Sequence, residues 1–278
     1  MYLYYLPFFY LISSRLKTKY ELISWQVIFF IPQLLISYYY LNVRSDLFIH
    51  LFLISQIIFY SLYETGYIEN DVITTKKEKN PTIRLDKKEN KFIIKNYSKL
   101  INLRFLVTLF FLLVIIWLDS FSAYRLNLMN FIILLILTKI IFYIHNSIRN
   151  RLTIITFFLL SILKYTFPLV LFINEKEIFF PLLLTFITFP LLRTIEVASL
   201  KRYNLKKLSI ISTNIDKFRI LYYSFLFMMV LILKMLLLLN NDNFNLAMTI
   251  VSYFLFFRIC CFYLVKYGAY IRDKKTKF

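Results

Sequence analysis

The residues whose types and spacing most invite a chemical reading lie between Tyr63 and Arg84, in the run YETGYIENDVITTKKEKNPTIR. Glu64, Glu69, Asp71 and Glu78 fall inside it, in a chain of 278 residues with only 15 acids. Continued as a helix, the segment puts Glu64, Tyr67, Asp71, Thr74 or Thr75, and Glu78 three and four residues apart on one face. Like charges stacked this way repel unless a cation lies between them. Oxygen ligands from Asp, Glu and Asn at a membrane edge suit Mg2+, which keeps one or two carboxylates and completes its shell with water and phosphate. A lipid bearing a diphosphate would supply that phosphate. The plainer alternative is a solvated helix end whose acids pair with Lys76, Lys77 and Lys79 in ion pairs of small value.

Such a face has to be held at a membrane boundary, and composition puts it there. Hydrophobic residues make up 60% of the chain and mean hydropathy is +0.66, more apolar surface than a soluble domain buries. An all-α fold is expected, a polytopic membrane helical bundle with membrane lipid as its surroundings. Eight stretches are long enough to cross: Trp25–Leu41, Leu47–Tyr63, Leu100–Leu118, Leu128–His145, Leu152–Phe172, Ile178–Val197, Phe218–Leu239 and Leu246–Lys266. Met1–Ile12 is apolar but too short to span, and Arg15, Lys17 and Lys19 follow it. Residues 1–23 therefore read as an interfacial or capping segment rather than a signal peptide. No soluble domain or Gly/Ser-rich linker interrupts the chain, so residues 1–278 read as a single transmembrane domain.

The formal charge of +19 bears on partners through its location. Basic residues concentrate in 13–23, 64–99, 146–151, 198–217 and 267–278, and are sparse in 42–46, 119–127, 173–177 and 240–245. That alternation predicts cytoplasmic termini and cytoplasmic loops at 64–99 and 198–217, facing anionic lipid rather than nucleic acid. A bacterial inner membrane is the expected location. Lys139, Lys164, Lys234 and Arg258 lie inside spans, where an ionisable group usually faces a cavity or the bundle interior. Lys234 is expected to snorkel. His145 reads as a hydrogen-bonded boundary residue, with a proton shuttle beside Asn146 the sharper alternative. The adjacent pair Cys260 and Cys261 has no metal or disulfide spacing.

The order Gly66, Tyr67, Asn70, Asp71, Glu78, Asn80, Pro81, Thr82, Arg84 resembles the first aspartate-rich motif of the UbiA superfamily of intramembrane prenyltransferases. In that family the pattern runs Gly-Tyr-x-x-Asn-Asp-x-x-Asp-x-x-x-Asp, then a loop with Asn-Pro and a basic residue. Thr74 stands here at the middle aspartate and Glu78 at the last. The run YIHNSIRNRLT, from Tyr143, is similar to the family's short Tyr-then-Lys-Arg-x-Thr turn and contains Arg149. The resemblance implies helices around a central cavity open to the cytoplasmic side, and transfer of a polyprenyl group from a diphosphate donor. It further implies Mg2+ held by Asn70, Asp71 and Glu78, with Tyr67, Arg84, Lys139, Arg149, Arg193, Lys201 and Arg202 on the substrate. Glu64 and Glu196 would position or deprotonate the acceptor.

Two departures set an alternative beside transfer. The family's second motif carries two or three aspartates, whereas LLRTIEVASLKRYN offers only Glu196 among Arg193, Lys201 and Arg202. The family commonly has nine spans, against eight here. Either a divergent branch in which basic residues take over part of the diphosphate binding, or a non-catalytic scaffold or lipid-binding subunit of the same layout, fits these departures. A small-solute transporter fits less well, since no internal repeat is visible and Pro and Gly are scarce where helices would break. With Asp71 facing solvent at a helix end, Asp71→Ala is expected to abolish any prenyl transfer while leaving folding nearly intact.

Overall fold

A computed structural model describes residues 1–41, 47–77, 82–121, 126–148, 150–236 and 242–268. Among them the secondary structure is entirely helical, and eight stretches are long and apolar enough to cross a membrane. The chain is an integral membrane protein of the helical type. It divides into two compact units, 1–178 and 179–278.

The first unit opens with a 3-10 turn, Tyr2–Tyr5, and α1 (Phe9–Arg15). The first span, Lys19–Tyr39, follows as α2 (Lys19–Trp25), a π turn (Gln26–Phe30) and α3 (Ile31–Tyr39). A reciprocal capping box starts it. Thr18 accepts from the Glu21 amide and Glu21 from the Thr18 amide, satisfying two donors that would otherwise be orphaned. Then come α4 (Leu47–Val72), a 3-10 turn (Thr74–Lys77), α5 (Lys87–Lys95), α6 (Tyr97–Phe121), α7 (Leu128–Ser147) and α8 (Thr153–Phe172). Helix α4 is the hub, packing against α1, α5, α6, α7 and α8. About two thirds of its span (67%) is buried, against 22% for α6. The outer face of α6 shows Leu106, Leu109, Phe110, Leu113 and Trp117, at the three-and-four spacing of an apolar stripe turned to lipid.

Close packing and proline set the details. An added Cβ on Gly66 would lie 2.4 Å from the Phe142 ring, so only glycine lets α7 approach α4 at that level. In α8, Pro168 has no N–H for the carbonyl of Lys164 four residues earlier. Gln33 of α3, itself buried, donates Nε2 to Lys164 O at 2.9 Å and to Tyr165 O at 3.0 Å. In hydrocarbon an unmet carbonyl would cost several kcal/mol, so this amide makes the proline tolerable.

The second unit begins with one span built from α9 (Phe179–Phe186), a π turn (Ile187–Leu191) and α10 (Leu192–Ala198). A 3-10 turn (Lys201–Tyr203), α11 (Lys206–Thr213), α12 (Ile215–Leu236) and α13 (Asp242–Lys266) complete it. Pro190 sits inside the π turn. Nearby carbonyls are met from α12: Tyr222 Oη donates to Ile187 O at 2.5 Å and Tyr223 Oη to Thr188 O at 2.6 Å. Tyr223 in turn stacks on Phe254 of α13, 5.3 Å between centroids.

Two expectations change here. The stretch 64–72 continues α4, in keeping with the three-and-four spacing of its acids, so the loop expected at 64–99 begins later, and α5 occupies 87–95 within it. Proline-associated irregularities also occur in the spans, at the two π turns and at Pro168, but the helices run on through them.

Candidate functional site

Of the α4 acids, Glu64 and Asp71 are buried and Glu69 is partly exposed. Asp71 has 2% of its side chain exposed and sits among donors from three segments. Tyr10 of α1 donates its hydroxyl to Oδ2 at 2.8 Å. Arg15 straddles the carboxylate, Nη1 to Oδ2 at 2.8 Å and Nη2 to Oδ1 at 3.0 Å. Arg84 adds Nη1 to Oδ1 at 3.3 Å, and Asn70 Nδ2 lies 3.4 Å from the same oxygen. Tyr67 presents its ring 4.5 Å from the Arg15 guanidinium. Burial works against the charge on Arg15, but the adjacent Asp71 outweighs it and raises the Arg15 pKa. At Arg84, burial and then the neighbouring Arg15 lower the pKa despite Asp71. Tyr10 is pushed well above the usual phenol range, first by burial and then by Asp71.

Two turns deeper, Glu64 and Arg104 form an ion pair with both side chains fully buried, Nη2 to Oε2 at 2.9 Å. Each also clamps the N-terminal segment. Arg104 Nη2 donates to Tyr4 O at 3.0 Å, and Glu64 Oε1 accepts from Leu11 N at 2.7 Å. Tyr4 Oη meets Glu89 of α5 at 2.5 Å, and burial followed by that bond lifts the Tyr4 pKa to about 12. Residues 1–15 thus pack into the helices, where the sequence left open whether they lie on the membrane. Glu64 is buried against Arg104 and the N-terminal segment, away from solvent. Lys139 of α7 donates to Thr65 Oγ1 at 2.9 Å and lies 3.9 Å from Glu69. His145 Nδ1 is 2.7 Å from Thr156 Oγ1, a boundary hydrogen bond.

In the second unit Glu196 is the centre. Arg219 of α12 binds it in two-pronged fashion, Nε to Oε1 at 2.5 Å and Nη2 to Oε2 at 2.8 Å, and Arg193 Nη1 reaches Oε2 at 2.6 Å. Lys201 and Arg202 are exposed on the 3-10 turn, Arg202 lying over the Tyr203 ring, and neither is ion-paired with Glu196. Glu78 and Arg149 lie outside the described residues.

The described residues do not fit Mg2+. Both Asp71 oxygens already accept from Tyr10, Arg15 and Arg84, and two guanidiniums beside the carboxylate repel a divalent cation. Among the described residues no three His, Cys, Asp or Glu side chains gather as metal ligands. Among the described residues the cations that meet Asp71 and Glu64 are arginines: Arg15 and Arg84 on the first, Arg104 on the second.

Comparison of the chain with protein-family models, with curated proteins and with solved structures gives no match. The resemblance therefore stands on the residues that carry it. Sequence reasoning missed Tyr10, Arg15, Arg104 and Arg219. Arg104 lies four residues inside the third span, so the criterion that singled out Lys139 also finds it.

Proposed function

We propose that this chain is a membrane-embedded, non-catalytic protein of UbiA-like layout that binds a phosphate-bearing polyprenyl lipid. The reading is carried by the state of Asp71. At the end of α4 two guanidiniums face one carboxylate, leaving a positive charge beside Tyr67 where a metal-dependent enzyme would need a negative one. Such a boundary attracts a lipid phosphate, and Arg suits it because the planar fork matches phosphate oxygens two at a time. The apolar spans would take the prenyl chain. Both termini and the loop bearing Arg84 face the cytoplasm in this reading.

Transfer of a prenyl group from a diphosphate donor is the second reading, favoured by Asn70 and Asp71 standing together at the end of the second span. One experiment separates the two. Purified full-length chain in nanodiscs is incubated with a polyprenyl diphosphate and membrane lipid, with Mg2+ or with EDTA. The proposal expects lipid retention unaffected by EDTA and no release of diphosphate. Mg2+-dependent release that Asp71→Asn abolishes would overturn it in favour of transfer.

A further inference from the structure

The second unit holds a guanidinium that its own acids do not neutralise. Arg258 lies on α13, 16 residues after Asp242 and eight before Lys266, or about 12 Å short of the C-terminal end of the helix at roughly 1.5 Å per residue. It is 6% exposed, and its Nε is buried without a hydrogen-bond partner. Among the described residues it forms no ion pair, and its guanidinium lies 5.4 Å from the ring of the adjacent Phe257. Arg219, Glu196 and Tyr223 are within electrostatic reach. Glu196, however, is already saturated by Arg219 and Arg193, and Asp216 lies 3.5 Å from Arg219. Three guanidiniums thus face two carboxylates, and one positive charge is left over inside a membrane span.

A lone buried cation costs several kcal/mol unless something compensates it, and intramembrane charges are kept where a ligand or pathway uses them. We infer that Arg258 of α13, together with Arg219 of the α12 helix packed against it, forms a phosphate-binding site. The ligand class is a phosphate group, carried either by a lipid or by a free anion. Glu196 forms no direct ion pair with Arg258, and its bonds to Arg219 and Arg193 hold those two guanidiniums in place. This inference concerns the second unit and does not rest on the prenyl-lipid reading, which turns on Asp71.

The test is thermal unfolding of the full chain in mixed micelles, titrated with phosphatidylglycerol, with a neutral phosphate-free galactolipid (monogalactosyldiacylglycerol) or with inorganic phosphate. Wild type and Asp71→Asn should both show a rise in midpoint with phosphatidylglycerol that the galactolipid does not give. In Arg258→Gln the apparent affinity should fall at least tenfold. In the galactolipid Arg258→Gln should melt at or above wild type, since an uncompensated charge has gone. A rise with phosphatidylglycerol alone assigns the site to a lipid headgroup, and a rise with inorganic phosphate as well assigns it to a free anion. Equal midpoint shifts in wild type and Arg258→Gln, or no shift with either phosphate source, would overturn the inference. Should Arg258→Gln fail to fold, Arg258→Lys decides, because it keeps the charge but loses the fork; a loss of threefold or more supports the site and an unchanged affinity overturns it.

Discussion

Replacing Asp71 with alanine separates a buried charge knot from a solvated helix end. In the folded chain the carboxylate takes donors from Tyr10, Arg15 and Arg84, and its removal leaves two arginines facing each other, their side chains 15% and 22% exposed. Deleting one partner of a buried pair costs about 3–5 kcal/mol. The partial exposure of both guanidiniums puts Asp71→Ala near the lower end, about 3 kcal/mol. At roughly 2–4 °C per kcal/mol the midpoint should fall by about 6–12 °C. A solvent-facing pair would cost at most about 1 kcal/mol. The assay is tryptophan-monitored melting of the purified chain, with limited proteolysis of residues 1–15, which Tyr10 and Arg15 tie to α4. Adding Arg15→Met to Asp71→Ala removes the repulsion, so the double variant should be less destabilised than the two single effects added, by about 1–2 kcal/mol. A midpoint within about 2 °C of wild type, with additive single effects and an unchanged digestion pattern, would refute the reasoning.

Gly66→Ala forces a methyl group against the Phe142 ring and should cost about 1–3 kcal/mol, read as a lower midpoint and faster exchange in α7. Gln33→Leu removes the donor to Lys164 O and Tyr165 O below Pro168 and should cost about 1–3 kcal/mol; restoring the backbone ladder with Pro168→Ala should recover part of it. The Tyr4 phenol has a folded-state pKa raised from 10.0 to about 12, so its contribution is whole below pH 10 and is lost as pH rises towards 12. Proteolytic release of the N-terminal segment should rise across that window in wild type and much less in Tyr4→Phe.

The spans were legible because a bilayer demands about 20 apolar residues in a row, and little else in a chain satisfies that. Leu152–Phe172 was expected where Thr153–Phe172 is found, for example. Helix α5 has a sequence signal too. Asp86 and Glu89 form a capping box ahead of an amphipathic run with Ile93 buried, the same device that starts the first span at Lys19 despite its charges. The acidic stretch was recognised as needing cations, but which cations could not be read. Arg15 and Asp71 are 56 positions apart, and Tyr4 and Arg104 are 100 apart. Periodicity speaks only to neighbours on one element, whereas these partners meet through the packing of several.

The buried tie between Arg104, Glu64 and the backbone of Tyr4 and Leu11 also constrains how the protein can be made. Leu11 leaves the ribosome 53 residues before its partner and Tyr4 100 residues before its own, an interval of about 5–20 s for the latter at ordinary elongation rates. Through that interval the first fifteen residues have to wait undocked, and α4 carries a carboxylate toward the bilayer before the guanidinium that will meet it has been translated. Insertion of α4 and α6 is then a paired event, and whatever shelters that early segment sets how much chain matures.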